Sequence, residues 1–560
     1  MKQKGLWQLF SVLLSAVLAL SACGSADRDT GSGESAGTTT ADAGSTGASG
    51  GAKFLNIVVA KPTVVEDMNT NETSKWLEET TGIKVNYDQI PLENVNEKVA
   101  LMLAGGELPD IFFNCSITSA QINQYGIQDK VLIQLDEFID QYGSNLKKAM
   151  AGFDQGFNLI KEVDGHIYGL PTINPCYHCS RANKMWINDT WMKALNLEYP
   201  ETTDDFYTVL KAFKEKDPNG NGKADEIPLT GCTDGWYAQT IPFLINSFLY
   251  FDTYQQGFGL DDGKKVINGM TDNRFKEALR YLNRLYKEGL LYEGTLTQKN
   301  DQLRKLVENP EAPIVGASTA GFGGVLCEIG GDRYRMYRPL APLKGPQGVQ
   351  YAGSYLQLPY TGAFVVTSAC KDPALALQWG DTFYTHEATA TVFNGVEGAA
   401  WKKADSGEKD FNGNQALWMA IKAYGADVGK TRNDCWTQMG IFNFSKEWRM
   451  GQAVPQDLDL WSADGMEYML HVTTRDLYEP YAADKYALPT LKQTEDEYNQ
   501  SSILRTEYNK YYDEIVFKFI TGAMDLDKDW NSYLENLKNK YKLDTLLSIY
   551  QTAYDRTYGQ

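Results

Sequence analysis

The sequence predicts a mixed α/β protein with more than one lobe. Two observations carry this. Short apolar runs that read as strands alternate with helical stripes through the first half of the chain. The segment from Lys53 to Gln560 is also far longer than one simple core accommodates. No repeat of fixed period divides it.

In chain order, Lys2 and Lys4 come first, ahead of an apolar run that starts at Leu6 and ends in Leu20-Ser21-Ala22-Cys23. A positive front, an apolar stretch and small residues at its end make a secretory signal. A cysteine directly behind the small residues makes that end a lipobox. Residues 1–22 are therefore expected to be cleaved after Ala22, and the Cys23 thiol to carry a diacylglyceryl group. The mature protein is expected outside the cytoplasm, lipid-anchored to the outer face of the cell membrane. Residues 23–52 are almost entirely Gly, Ser, Thr, Ala and Asp, with no aromatic residue. Such a stretch buries too little surface to offset its ordering entropy. As a flexible coil it spans roughly 30 Å and holds a globular body off the lipid.

Phe54-Leu55-Asn56-Ile57-Val58-Val59 is the first strand-like run. Val95, Val99, Met102 and Leu103 form a helical stripe that stops at Gly105-Gly106. Pro109 to Asn114 reads as a buried strand ending at a polar residue. Ligands of open α/β sheets gather outside the carboxyl ends of strands. Asn114 is therefore a candidate cleft residue; a loop cap is its other reading. Val163 to Pro171 reads as a hairpin feeding an extended crossing segment. Thr202 caps a helix with Phe206, Val209, Leu210 and Phe213 on one face. Phe275, Leu279, Leu282 and Tyr286 repeat that pattern before Gly289, as do Trp530, Leu534, Leu537 and Tyr541 near the end.

Composition excludes several classes. The net charge of −19 leaves no broad basic field for nucleic acid. Behind the signal, no run approaches the length of a membrane span. Seven cysteines besides Cys23 are scattered, so they form no disulfide framework. Cys176-Tyr177-His178-Cys179 is the only close pair; free thiols and one local disulfide are both open readings. Neither HExxH nor GxSxG occurs. Gly425 to Thr431 resembles a P-loop but is one residue short, and an exported protein meets no ATP.

The strongest chemical motif is Asp217-Pro-Asn-Gly-Asn-Gly-Lys-Ala-Asp-Glu226. Side-chain oxygens fall at positions 1, 3, 5, 9 and 10, and glycine at position 6 permits a sharp turn. That spacing wraps a loop around a hard cation. Asp217, Asn219, Asn221, Asp225 and Glu226 supply side-chain oxygens, and Lys223 a backbone carbonyl. Position 12 is Pro228, so Glu226 has to replace the bidentate glutamate of an EF-hand. An Asn-Gly-rich turn without a metal is the other reading.

These features fall in an order that resembles extracellular solute-binding proteins of ABC importers, in the family 1 group that includes alginate-binding proteins. The markers are Gly106-Glu-Leu-Pro-Asp110, Tyr168-Gly-Leu-Pro171, Met185 to Trp191, Pro200 to Phe206, Asp217 to Pro228, Leu282 to Leu291, Pro342 to Pro346 and Ala523 to Tyr541. The resemblance implies a two-lobed periplasmic-binding-protein-like fold of type II, with a hinge and a helical C-terminal portion. It implies a first lobe of 53–172 plus 313–358 and a second of 173–312 plus 359–560. It implies structural calcium at Asp217, Asn219, Asn221, Lys223, Asp225 and Glu226. It also implies a monomer without catalytic activity that delivers a solute to ABC permease subunits, with an oligosaccharide as the solute. An oligopeptide, or an exported carbohydrate-active enzyme, are the alternatives.

Sugars need aromatic platforms for their CH faces and amide or carboxylate partners for their hydroxyls. Trp236, Tyr237, Trp401 and Trp436 stand in turn-rich segments beside Asn, Asp and Gly, and join Asn114 as candidate ligand residues. Core packing is the other reading of each ring. Replacing Cys23 by Ser is expected to release the protein from membranes or leave it unprocessed. N-terminal sequencing of the wild-type protein checks the same point: a mature N-terminus other than Cys23 contradicts it.

Overall fold

The computed structural model describes residues 53–262, 264–422 and 430–559. Cys23, the tether and most of the P-loop-like stretch lie outside the described residues. In chain order, the strands of the two larger sheets are β1 (Phe54–Lys61), β2 (Lys84–Pro91), β3 (Ile111–Phe113), β4 (Lys184–Asn188), β5 (Ile227–Thr230), β6 (Val315–Ala320), β7 (Tyr337–Leu340) and β8 (Phe364–Val366).

The first sheet has the order β8-β3-β1-β2. β1 runs parallel to both β2 and β3, and β8 lies antiparallel on β3. Successive side chains of a strand face opposite ways, and both faces here are apolar. Leu55, Ile57 and Val59 enter one core with Ile111 and Phe113; Val58 and Ala60 enter another with Phe112. This double burial is why β1 reads as a continuous apolar run instead of an alternating one. The helix Val95–Gly105 covers one face through Val99 and Leu103, and ends at Gly106 in the left-handed region.

The second sheet has the order β5-β6-β4-β7. β5 and β6 are parallel, and β4 is antiparallel to β6 and β7. Met185 and Ile187 face the larger core, and Trp186 the smaller. The helix Thr203–Glu215 packs Phe206, Leu210 and Phe213 into the larger core, after a capping box formed by Thr202 and Asp205. The C-terminal helices Glu495–Thr521, Trp530–Asn539 and Leu543–Tyr558 complete it.

These pairings correct the expected lobe boundaries. Residues 313–358 were assigned to the first lobe, yet β6 and β7 pair with β4 in the second sheet. Residues 359–560 were assigned to the second lobe, yet β8 pairs with β3, and Trp379, Trp401, Trp436 and Trp448 belong to the first core. A buried apolar run announces a strand but not its partner: β6 and β7 pair with β4, and β8 with β3, each more than 100 residues away.

The chain therefore passes between lobes three times, near residues 173–183, 341–362 and 445–465. The crossings lie side by side. Thr172 bridges Tyr360, and Ile173 bridges Asn443. The Tyr355 N–H donates to the Ser180 carbonyl at 3.0 Å. Cys176 and Cys179 are joined by a disulfide inside the first crossing. Arg449, on the third crossing, donates to Asn174 Oδ1 at 3.2 Å and to Glu467 Oε2 at 3.4 Å. His178 Nε2 meets the same carboxylate at 3.2 Å. Burial opposes the Glu467 charge, but His178 and then Arg449 outweigh it and hold the carboxyl at about 2.

Away from the crossings the lobes touch again. Glu162 of the first lobe and Lys492 of the C-terminal portion are both buried and paired at 2.8 Å. Beside them Asn123 Nδ2 donates to the Gln493 carbonyl at 2.9 Å. Removing one member of a buried pair strands the other charge. Lys492→Met is expected to cost about 3 kcal/mol in urea unfolding. Adding Glu162→Gln to it is expected to restore most of that loss. Equal stability of the single variant and the wild type contradicts this.

Candidate functional site

The two sheets turn corresponding edges toward the crossings. β1 and β3 end at Lys61 and Phe113, and antiparallel β8 begins at Phe364. In the other lobe β5 and β6 end at Thr230 and Ala320, and β4 begins at Lys184. The carboxyl ends of the parallel strands thus border the cleft, where open α/β sheets place their ligands.

The second-lobe wall is aromatic. Trp236 follows β5 and is 37% exposed. Its ring lies over Gly321, directly behind β6; a Cβ there would stand 2.1 Å from the ring. No other residue fits at 321. Phe322 and Tyr237 meet the indole edge-on, with centroids at 5.9 and 5.6 Å. Tyr237 is buried and held at φ 53°. Its ring supports Tyr254, 4.8 Å away, which is half exposed. Tyr355 of the second crossing is also half exposed. Beneath the rings lie amides. Asn183 Nδ2 donates to the carbonyls of Tyr237 and Gln239. Gln239 Nε2 donates to those of Thr233 and Gly235. Asn183 Oδ1 and Gln239 Oε1 are buried without a donor. A cavity of about 640 Å³ opens alongside, lined by Thr233, Gln239, Tyr254, Thr297, Tyr512 and Phe517 among others.

The first-lobe wall is built around Asn114. Its backbone sits at φ 58°. Its Nδ2 donates to the Ala60 carbonyl at 2.8 Å, and its Oδ1 accepts from the Gly440 N–H at 3.1 Å. The side chain ties the ends of β1 and β3 to the Gly440 turn, so Asn114 positions the wall as a cap. Ser116 and the half-exposed Tyr360 stand beside it, with the Tyr360 hydroxyl near Ser116.

Of the predicted platforms, Trp236 stands on the cleft with Tyr237 as its support. Trp401 and Trp436 do not, and are corrected to core residues. Trp401 is 1% exposed and packs edge-on against Trp448. Trp436 is fully buried among Tyr87, Phe113 and Phe383, and its Nε1 donates to Ser74 Oγ. Both flanking segments are turns, but they are turns folded onto the first core. Sequence reasoning missed Tyr254, Tyr355 and Tyr360. The last two flank Leu356-Gln-Leu-Pro359, and aromatics in a segment that crosses between lobes were the available signal.

The Asp217–Glu226 loop joins the helix Thr203–Glu215 to β5. Asp217 accepts from the N–H groups of Asn221 and Gly222 at 3.1 and 3.0 Å. Asn219 and Asn221 both direct their side-chain amides at Asp225. Their Oδ1 atoms accept from the N–H groups of Asn221 and Lys223 at 3.0 and 2.7 Å. Glu226 Oε1 is buried with no hydrogen-bond partner. Burial raises the Glu226 carboxyl above its ordinary value, and the charges of Asp225 and Asp217 add to the rise. Lys223 swings outward to Glu311 at 3.3 Å. A converging anionic donor set with an orphaned carboxylate oxygen fits a hard cation.

The profile of the bacterial extracellular solute-binding proteins matches residues 48–390, more than half of the chain. The chain belongs to this family. Among relatives, the fructooligosaccharide ABC transporter substrate-binding protein FusA of Streptococcus pneumoniae is 26% identical over 512 residues, covering 90% of both chains. Lipoprotein LipO of Bacillus subtilis is 24% identical over 375 residues, 64% of this chain and 70% of LipO. FusA has been solved with kestose and, as an EF-hand mutant, with fructo-nystose; both structures match at TM-score 0.73 and 23% identity, covering 90% of this chain and 100% of theirs. An HMO-binding ABC-transporter-associated solute-binding protein of Bifidobacterium longum infantis matches at TM-score 0.76 and 19% identity, covering 90% of this chain and 99% of its own. These likenesses support the two-lobed fold of this solute-binding protein.

Core and cleft tryptophans are expected to separate by stability. Trp436→Ala is expected to cost about 3–5 kcal/mol as a buried aromatic truncation. Trp236→Ala is expected to cost about 1 kcal/mol or less, in line with a surface substitution. Urea denaturation of the two variants checks this; equal losses contradict the assignment.

Proposed function

We propose that this solute-binding protein is the membrane-anchored extracellular subunit of an ABC importer. It captures an oligosaccharide between its lobes and delivers it to the permease, without chemical turnover. One observation carries the reading: a wall of exposed rings, Trp236, Tyr254 and Tyr355, stands over amides at the carboxyl ends of β5 and β6. Rings stack on the apolar faces of sugars, and amides select among hydroxyls. The fructooligosaccharide ligands of FusA agree with this chemistry, and the LipO relationship agrees with anchoring through Cys23. Calorimetry with oligosaccharides tests the proposal. Trp236→Ala is expected to weaken a bound sugar at least tenfold while the variant stays folded. Binding of peptides and of no sugar overturns it.

The same proposal includes one structural calcium. Asp217, Asn219, Asn221, Asp225 and Glu226 would hold it by side-chain oxygens and Lys223 by its carbonyl. The EF-hand designation of the FusA mutant supports a cation loop in a relative. Bound calcium would neutralise the carboxylates and fix the connection from the helix Thr203–Glu215 into β5. A chelator is expected to lower the melting temperature, and Asp217→Ala to remove that sensitivity. An unchanged wild-type melting curve at every calcium level contradicts the site.

A further inference from the structure

We propose that the Cys176–Cys179 disulfide is a redox-active site that exchanges with small external thiols, with Cys179 as the sulfur attacked and His178 as the base beside it. The two cysteines are bonded inside the first crossing, at a sequence separation of three. So short a loop takes little freedom from the unfolded chain, and its closure adds far less to the fold than a long-range disulfide. Other bonds hold the same turn. The N–H groups of Cys179 and Ser180 both donate to the Cys176 carbonyl at 3.1 Å. The buried Lys184 Nζ donates to the carbonyls of His178 and Arg181 at 2.8 and 2.6 Å. Once opened, the two sulfurs therefore stay side by side, as a reversible bond requires.

Access and chemistry both single out Cys179. Cys176 is 1% exposed, whereas Cys179 is partly exposed. A ring nitrogen of His178 lies within 4.8 Å of both sulfurs. Nδ1 stands 3.8 Å from Cys179 Sγ, and Nε2 stands 3.2 Å from Glu467 Oε2. The Glu467 carboxyl is held at about 2, so it is ionised and only accepts. Nε2 therefore carries the hydrogen, and Nδ1 turns its lone pair to the sulfur. Burial lowers the His178 pKa despite the Glu467 charge, which leaves the ring a neutral base. Sulfur, imidazole and carboxylate thus stand as nucleophile, base and orienting group, the arrangement that activates a thiol. By contrast, Cys115, Cys232, Cys327, Cys370 and Cys435 are buried, and burial raises each thiol above its ordinary value.

An external thiol gives its proton to His178 Nδ1 and attacks Cys179 Sγ as a thiolate. The S–S bond breaks and a mixed disulfide forms on Cys179. Cys176 leaves with the electron pair and takes the proton from His178. A second external thiol attacks the outer sulfur of the mixed disulfide and leaves as the external disulfide. Cys179 departs as a thiolate and takes that thiol's proton. Two external thiols are oxidised, and one protein disulfide is reduced to two thiols.

The test places the purified protein in buffers of reduced and oxidised glutathione without denaturant, then quenches with acid, alkylates and maps the peptides. The expected result is reversible opening of Cys176–Cys179 at millimolar glutathione, with the circular dichroism spectrum unchanged. A disulfide that opens only when urea unfolds the protein overturns the proposal. Single-cysteine variants test the roles. Cys176→Ala, which leaves Cys179, is expected to react with oxidised glutathione at least tenfold faster than Cys179→Ala, which leaves Cys176. Adding His178→Gln to Cys176→Ala is expected to slow the reaction at least tenfold. Equal rates in either comparison overturn the assigned roles. The wild-type measurement needs no variant and decides the proposal even where a variant fails to fold.

Discussion

Everything at the cleft depends on three chain crossings that lie side by side. Thr172 against Tyr360 and Ile173 against Asn443 fix their spacing. The Glu467 carboxylate, shared by Arg449 and His178, ties the first and third crossings at one point. Because the crossings leave from the strand ends, they force the carboxyl edges of the two sheets to face each other. Hinges of this type absorb large rotations in a few residues while the lobes stay rigid. The second contact, at Glu162 and Lys492, joins the lobes through segments outside the crossings.

Rigid walls follow from the same arrangement. Trp236 owes its exposure to a bare glycine beneath it and to edge contacts with Phe322 and Tyr237. Such a ring is held in one place by its neighbours, so little of its side-chain freedom remains to be lost. Tyr355 and Tyr360 belong to a crossing, so their positions change with the angle between lobes. One part of the site is therefore fixed and another is carried by the hinge.

The sequence was most legible where the constraint is local. The strand at Phe54, the helix ending at Gly106 and the capping box of Thr202 and Asp205 were each expected from neighbouring residues. The turn at Asp217–Glu226 was legible from its Asn-Gly run, and the proposal of a cation there rests on its oxygen spacing. Lobe membership was not: β6 and β8 look alike as buried strands, and only pairing with distant partners assigns them to opposite sheets. The aromatic platforms failed for the same reason. Trp236, Trp401 and Trp436 share a turn-rich context, and burial by distant segments separates one from the other two.

The central claim is that the lobes close on a solute about these crossings. Leu101 and Ile503 are exposed on helices of opposite lobes, each 65% accessible. The free cysteines among the described residues are buried, so Leu101→Cys and Ile503→Cys accept spin labels selectively. Electron–electron double resonance between them, with and without a bound oligosaccharide, measures the motion directly. The account predicts a shorter and narrower distance distribution with the sugar. Identical distributions at saturating ligand would contradict it.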